Sequence, residues 1–192
     1  MKYIISGTGR SGTKLIHSVL RDLGVSIGRH EISLGDKGGV GGYRVIPKMS
    51  KNKNDYKIIV QMREPLLTVN SILKSTPSDF FDLGLIKKDF NDITKYTLHV
   101  WFKIYSTLLN DCVLSYTLDH LNDGKVSKEL IKLFNINCSK EDFDKQVKES
   151  YNAGSRNARQ GGPNLSLDQL QEKDPIMFNQ AYSLYNSIKN GK

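Results

Sequence analysis

The sequence has few cysteines and no long hydrophobic run. Its 192 residues include two cysteines, Cys112 and Cys138, which are too few for a disulfide scaffold. Neither has a histidine or a second cysteine at ligand spacing, which argues against a zinc site. No apolar run approaches the length of a membrane span, and the first residues lack the apolar core of a secretory signal. These absences predict a protein of the reducing cytoplasm without a membrane anchor or a bound metal.

Internal repeats and blocks of like charge are also absent. The 28 Lys and Arg residues outnumber the 20 Asp and Glu residues, and the net charge of +8 suits an anionic ligand. The densest basic group, Lys48, Lys51 and Lys53, is interpreted as a solvated loop rather than a nucleic-acid-binding tail. The length and the ordinary composition predict one globular domain over residues 1–192. The oligomeric state stays open.

A glycine-rich stretch near the start of the chain carries the most information. Apolar residues at positions 3–5 predict a strand, and the apolar spacing over positions 15–23 predicts a helix. Gly7, Gly9 and Gly12 lie between them. A strand, a glycine-rich loop and a helix together form a phosphate cradle, because the backbone can approach the anion and the first N–H groups of the helix are free. The side chains that add donors are those of Arg10, Ser11, Thr13 and Lys14.

This loop differs from the P-loop of nucleoside triphosphatases. Gly7 and Gly12 have the right separation, but that motif continues with lysine and then with serine or threonine. Here Thr13 comes first, and Lys14 occupies the place of the hydroxyl that binds magnesium. The loop is therefore predicted to bind an anion without an obvious metal ligand.

Strands alternate with helices along the rest of the chain. The apolar centre of Lys57–Met62 predicts a buried parallel strand, and Pro65 suits the first turn of the helix that follows. Shorter strands are predicted at Val25–Gly28 and Cys112–Tyr116. The other predicted helices cover about 91–110, 126–134, 140–150, 165–171 and 175–189. The alternation predicts an α/β fold, a three-layer, P-loop-like arrangement with helices on both faces of a parallel sheet.

Two further stretches are predicted to be loops. Leu34–Gly42 is so rich in glycine that it offers almost no side chain to a core, and we expect it to be mobile. Asn152–Pro163 is polar and basic, which is typical of an exposed loop.

Arg63 and Ser71 form a second anion-binding pattern. Arg63 closes the strand that ends at Met62, and Ser71 follows about two turns into the next helix. Arginine binds phosphate through two parallel hydrogen bonds, and serine adds a hydroxyl donor. Ligands of parallel sheets bind beyond the carboxyl ends of the strands, so Arg63, His30 and the glycine-rich loop are expected to converge.

Taken together, these two patterns resemble the sulfotransferases that use 3′-phosphoadenosine 5′-phosphosulfate (PAPS), in particular bacterial or phage-type members. Gly9-Arg10-Ser11-Gly12-Thr13 looks like their 5′-phosphosulfate loop, with Arg10 at the position of the basic residue. Lys14 replaces the second threonine of that loop. Met62-Arg63-Glu64-Pro65, followed by Ser71, looks like their 3′-phosphate motif.

The resemblance implies that a sulfuryl group passes from PAPS to a hydroxyl group of a small-molecule or carbohydrate acceptor. The product of the donor would be adenosine 3′,5′-bisphosphate (PAP). Arg10 would stabilise the charge that develops on the donor. The residues expected to bind the donor are Gly9, Arg10, Ser11, Gly12, Thr13, Lys14, Arg63, Ser71 and, in a late basic segment, Arg156.

His30 and Glu31 are the candidate bases for the proton of the acceptor hydroxyl. One branch of the family uses histidine and another uses glutamate, and Glu31 is preferred here. In the alternative interpretation His30 packs locally, while Glu31 pairs with Arg29 or Lys37. The other histidines are interpreted as structural: His17, His99 and His120.

Two other functions remain open at this point. A nucleotide or nucleoside kinase would need magnesium, although the strand before Arg63 does not end in the aspartate that commonly holds it. A non-catalytic module that binds nucleotides or nucleic acids would show salt-dependent binding. The preferred prediction includes neither a nucleic acid nor a membrane as a partner.

Overall fold

The structure, a computed structural model, describes residues 1–29, 35–42, 55–74, 92–155 and 164–191. Within these ranges, five parallel strands form one sheet in the order β2-β3-β1-β4-β5. The strands are β1 (Lys2–Gly7), β2 (Ile27–Arg29), β3 (Gly38–Gly42), β4 (Tyr56–Met62) and β5 (Cys112–Thr117).

Helices in the described ranges cover both faces of this sheet. They are α1 (Thr13–Asp22), α2 (Pro65–Leu73), α3 (Ile93–Leu108), α4 (Leu118–Asn122), α5 (Ser127–Phe134), α6 (Lys140–Ser155), α7 (Leu167–Lys173) and α8 (Pro175–Lys189). A short 3-10 turn, Leu109–Asp111, joins α3 to β5.

The central strands are buried on both faces. Neighbouring side chains of a strand point to opposite faces. Ile4 and Val60 accordingly pack against α2, α3, α7 and α8, whereas Ile5 and Ile59 pack against α1, α4, α5 and α6. All four side chains have no exposed surface. The α/β fold with helices on both faces of a parallel sheet is confirmed, and the double burial explains the continuous apolar runs.

Residues 38–42 form a strand, so the prediction of a mobile loop was wrong for them. Strand β3 lies inside the sheet between β1 and β2, and its Val40 is buried. Gly38 has a φ of 132°, and a Cβ atom added there would lie 1.8 Å from the backbone oxygen of Tyr3. Glycine therefore allows a contact between two backbones that any side chain would block. The prediction of a mobile loop was based on the lack of side chains for a core, whereas this strand is held mainly by main-chain contacts with β1.

Three smaller differences concern the bounds of elements. Strand β2 begins at Ile27, two residues later than predicted. Helix α6 continues to Ser155, so the first four residues of the predicted loop Asn152–Pro163 are helical. Helix α4 was not predicted; the Thr117 hydroxyl begins it by accepting a hydrogen bond from the backbone N–H of His120, at 3.2 Å.

An acid-sensitive contact joins α5 to α6. The carboxylate of Asp144 accepts hydrogen bonds from the Ser127 hydroxyl and the Lys140 ammonium group. Burial alone would raise the pKa of Asp144, but these hydrogen bonds outweigh it and hold the pKa below its usual value. Because the pKa is lower in the folded state, the contact stabilises the fold above about pH 4 and is lost as the pH falls through the folded pKa.

Replacing Asp144 by asparagine is expected to lower the free energy of unfolding at pH 7 by about 1–3 kcal/mol, because a charge-assisted contact is lost. The difference from the wild type should begin to shrink as the pH falls below about 4, and it should be lost below the folded pKa, where the native carboxylate is protonated. Urea unfolding at pH 7 and at an acidic pH below the folded pKa measures the difference in the free energy of unfolding. Asp123→Asn is the control, since Asp123 is exposed and lies 3.5 Å from Lys125. An equal loss at both pH values would contradict the prediction.

Candidate functional site

The loop between β1 and α1 has the backbone of an anion-binding site. Arg10 and Gly12 have positive φ angles of 69° and 90°. For Arg10 this conformation costs about 1–2 kcal/mol, so other contacts must hold it. Gly12 precedes α1, and no side chain of the described residues caps this end of the helix. The first N–H groups of α1 are therefore available to an anion.

One side chain of β4 and one from the residue directly after it hold the loop through its carbonyl groups. The Nη1 atom of Arg63 donates to the backbone oxygen of Arg10 at 3.1 Å. The Nε2 atom of Gln61 donates to the backbone oxygen of Ser11 at 2.8 Å. In a trans peptide the N–H points away from the C=O. The N–H of Gly12, which shares a peptide with the Ser11 carbonyl, therefore points away from β4.

Tyr105 of α3 anchors the start of the loop. Its hydroxyl accepts a hydrogen bond from the backbone N–H of Thr8 at 3.2 Å and donates to the backbone oxygen of Gln61 at 3.1 Å. The Thr8 hydroxyl also lies 3.2 Å from it. Burial raises the pKa of Tyr105, so the phenol stays protonated at neutral pH. The loop and the end of β4 are thus joined by a buried phenol.

Arg10, Arg63 and Ser71 meet beside this loop. The Nε atom of Arg10 donates to the Ser71 hydroxyl at 3.0 Å. Arg10 comes from the loop, Arg63 from the residue after β4, and Ser71 from the last turn of α2. The structure therefore brings the two anion-binding patterns of the sequence into direct contact.

The electrostatics of this cluster favour an anion. Burial lowers the pKa of Arg63, and the nearby charge of Arg10 acts in the same direction, while Tyr151 of α6 and Glu64 oppose the shift. The Nε atom of Arg63 is buried and has no hydrogen-bond partner in the described part of the chain. Arginine remains charged even so, and a buried donor without a partner is costly. An anion at this position would remove that cost.

The backbone at Arg63 is fixed from α3 and α8. The indole Nε1 atom of Trp101 donates to the backbone oxygen of Arg63 at 3.1 Å. The Tyr182 hydroxyl donates to the carboxylate of Glu64 at 3.0 Å. Both partners come from helices on one face of the sheet, so the direction of the Arg63 side chain depends on the packing of that face.

Most of the predicted site residues fall in the described ranges. The structure places Gly9, Ser11 and Gly12 in the loop, a buried Thr13 at the start of α1 and an exposed Lys14 after it. Three predicted residues lie outside the described residues, and these are His30, Glu31 and Arg156. Strand β2 ends immediately before the first of them, at the same edge of the parallel sheet as the loop.

Sequence reasoning missed the residues beneath the loop. Gln61 is a polar residue directly after the apolar run at positions 58–60 of β4, which is a signal that the sequence does contain, and it has no exposed surface. Gln61 binds Ser11 and Tyr116, and the hydroxyl of Tyr105 binds its backbone oxygen. All three partners lie at distant positions of the sequence, which the periodicity of apolar residues does not indicate.

The histidines in the described residues have structural contacts. His99 lies 2.8 Å from the Asp174 carboxylate, and His120 lies 2.9 Å from the backbone oxygen of Lys189. His17 is buried on α1.

Over the described ranges, no cluster of three or more His, Cys, Asp or Glu side chains is placed to hold a metal ion. None of the helices described is both long and apolar enough to span a membrane.

Comparison with known proteins identifies the class of fold: the chain has the fold of a sulfotransferase. One solved structure that shares it is mouse sulfotransferase SULT7A1 complexed with PAP. The two superpose with a TM-score of 0.53 and 15% sequence identity, over 100% of this chain and 85% of the mouse chain. No protein-family model matches the chain, and no curated protein matches its sequence.

Proposed function

We propose that this protein is a sulfotransferase that moves a sulfuryl group from PAPS to the hydroxyl group of a small-molecule or carbohydrate acceptor. The convergence of Arg10, Arg63 and Ser71 beside an anion-binding loop carries this proposal. The fold shared with a sulfotransferase that was crystallised with PAP supports it.

The residues present fit a donor with an anionic group at each end. The free N–H groups at the start of α1 and the side chain of Arg10 suit the 5′-phosphosulfate. The unpartnered Nε atom of Arg63 and the Ser71 hydroxyl suit the 3′-phosphate. A nucleotide with two separate phosphates uses both groups of donors, whereas a single phosphate uses only one.

The donor supplies an activated sulfuryl group when it is bound. Transfer forms a bond from sulfur to the acceptor oxygen and breaks the bond from sulfur to the donor phosphate oxygen, which keeps the electron pair. Arg10 and the loop N–H groups stabilise the negative charge on that oxygen. Glu31 takes the proton of the acceptor hydroxyl, with His30 as the alternative base. Arg63 and Ser71 hold the 3′-phosphate and thereby position the donor.

The order of the strands supports a base that follows β2. Strand β2, which leads into His30 and Glu31, is separated from β1 by one strand, so its axis lies about 10 Å from that of β1. A base at the end of β2 would face a sulfuryl group held at the end of β1. The acceptor then enters from the β2 side of the sheet. A cytoplasmic location agrees with the free thiols of Cys112 and Cys138.

Calorimetric titration with PAP in the absence of magnesium tests this function, with ATP plus magnesium as the comparison. Tight metal-free binding of PAP, with much weaker binding of ATP, is expected. A preference for ATP plus magnesium would instead indicate a kinase. If neither nucleotide binds, the proposed donor is wrong. Binding to DNA or RNA that weakens steeply with salt would favour a nucleic-acid-binding module.

Replacing Glu31 by glutamine is expected to lower turnover by about 10²–10⁴-fold, which is the contribution of a general base. The substitution removes the proton acceptor but keeps the size of the side chain, so the affinity for PAP should stay unchanged. Turnover is measured with an acceptor selected from a panel of sugars and phenols. His30→Gln is the matched variant. Unchanged turnover in Glu31→Gln together with a large loss in His30→Gln would assign the base to His30.

A further inference from the structure

A polar side chain lies buried beneath the anion-binding loop. Gln61 belongs to β4, a strand that is covered on both faces, and none of its surface is exposed. A buried amide without hydrogen bonds destabilises a fold by a few kcal/mol, on the order of 1–3. Both ends of this amide are bonded: Nε2 donates to the backbone oxygen of Ser11, and Oε1 accepts from the Tyr116 hydroxyl, each at 2.8 Å.

The chemistry of the two partners determines how the amide is oriented. The carbonyl oxygen of Ser11 can only accept a hydrogen bond, so the NH₂ group of Gln61 must face it. The oxygen of the amide then faces Tyr116, whose hydroxyl can donate. Burial raises the pKa of Tyr116 strongly, so this donor keeps its proton. An apolar residue of similar length provides neither bond.

The contact with Ser11 acts on the peptide that leads into Gly12. Glycine tolerates many backbone conformations, so the residue type at Gly12 does not by itself fix the orientation of this peptide. A Cβ atom at Gly12 would lie 2.9 Å from Nε2 of Gln61, which shows how closely the amide approaches the loop. Because Nε2 holds the carbonyl oxygen on the β4 side, the N–H of Gly12 is held on the opposite side.

We propose that Gln61 is a positioning residue of the anion-binding loop: it orients the Ser11–Gly12 peptide so that the Gly12 N–H faces the bound anion. Gln61 itself does not touch the anion. The inference depends on the proposed function only for the identity of that anion, which is the 5′-phosphate end of PAP or PAPS.

Two variants separate this role from a general effect on stability. Gln61→Met removes the contact with Ser11 at nearly constant length. Tyr116→Phe removes the other hydrogen bond of the amide but leaves the one to Ser11. Gln61→Met loses both hydrogen bonds of the amide and Tyr116→Phe loses one, so both variants are expected to unfold at lower urea concentrations than the wild type. Only Gln61→Met is expected to weaken PAP binding, by about tenfold to a hundredfold.

The readout that does not depend on a nucleotide is the amide resonance of Gly12 in the ligand-free protein. It should shift and broaden in Gln61→Met and stay near its wild-type position in Tyr116→Phe. Wild-type affinity for PAP in Gln61→Met, or a Gly12 resonance that is unchanged in that variant, would overturn the inference. If the wild type fails to bind PAP, the proposed function is wrong, while the Gly12 resonance still decides whether Gln61 positions the loop.

Discussion

Replacing Arg63 by alanine is expected to weaken the binding of PAP by about a hundredfold, because a buried charged donor to a phosphate is removed. The binding of AMP, which lacks the 3′-phosphate, should fall much less. Some loss for AMP is expected as well, since Arg63 also holds the backbone oxygen of Arg10. The ratio of the two losses, rather than either loss alone, reports on the 3′-phosphate.

Calorimetric titration of both nucleotides into the wild type and the variant gives this ratio. Arg21→Ala is the matched control, because it removes the same charge from the surface of α1, where Arg21 contacts Asp22 and its side chain is 64% exposed. Its effect on either nucleotide should be small. Equal losses for PAP and AMP in Arg63→Ala would show that Arg63 supports the loop without binding the 3′-phosphate.

Replacing Gly38 by alanine is expected to destabilise the fold by about 3–5 kcal/mol, which is large for a single methyl group. The new Cβ atom would lie 1.8 Å from the backbone oxygen of Tyr3, and a φ of 132° is strained for any residue with a side chain. The backbones of β1 and β3 would have to separate, and their hydrogen bonds would weaken.

Urea unfolding of Gly38→Ala and Gly24→Ala separates the cost of the steric clash from the cost of the backbone conformation. Gly24 also has a positive φ, of 78°, but in the described part of the chain no atom lies within 4 Å of an added Cβ. Gly24→Ala therefore carries only the cost of the backbone conformation, about 1–2 kcal/mol. Similar losses in the two variants would mean that β3 does not approach β1 as closely as described.

Patterns of side chains predicted the elements that bury side chains. Strand β4 and helix α1 contribute apolar residues to a core, so their periodicity is visible in the sequence. Strand β3 contributes little more than Val40, and its place in the sheet comes from hydrogen bonds and close backbone contacts with β1. Information of that kind is shared between distant residues and does not appear in a local pattern.

The residues of the candidate site also fall into those that a local sequence pattern indicates and those that only long-range contacts bring together. Gly9, Arg10 and Gly12 could be selected from the sequence because anion-binding loops repeat a local pattern of residue types. The side chains beneath the loop could not, since the hydrogen bond from Gln61 to Ser11 joins residues 50 positions apart and the one from the Thr8 N–H to Tyr105 joins residues 97 positions apart. The polar Gln61 next to the apolar run of β4 was visible, but its hydrogen-bond partners were not.

The contacts that hold α2 have a consequence for synthesis on the ribosome. Asn70, next to Ser71, exchanges two hydrogen bonds with the backbone of Leu165, and Glu64 at the start of α2 accepts one from Tyr182. These partners are translated 95 and 118 residues later. The neighbouring strands β1 and β4 are both translated before α2, whereas these hydrogen bonds of α2 can form only after Leu165 and Tyr182 have left the exit tunnel. The contacts that hold α2, and with it Ser71, are therefore completed late in synthesis.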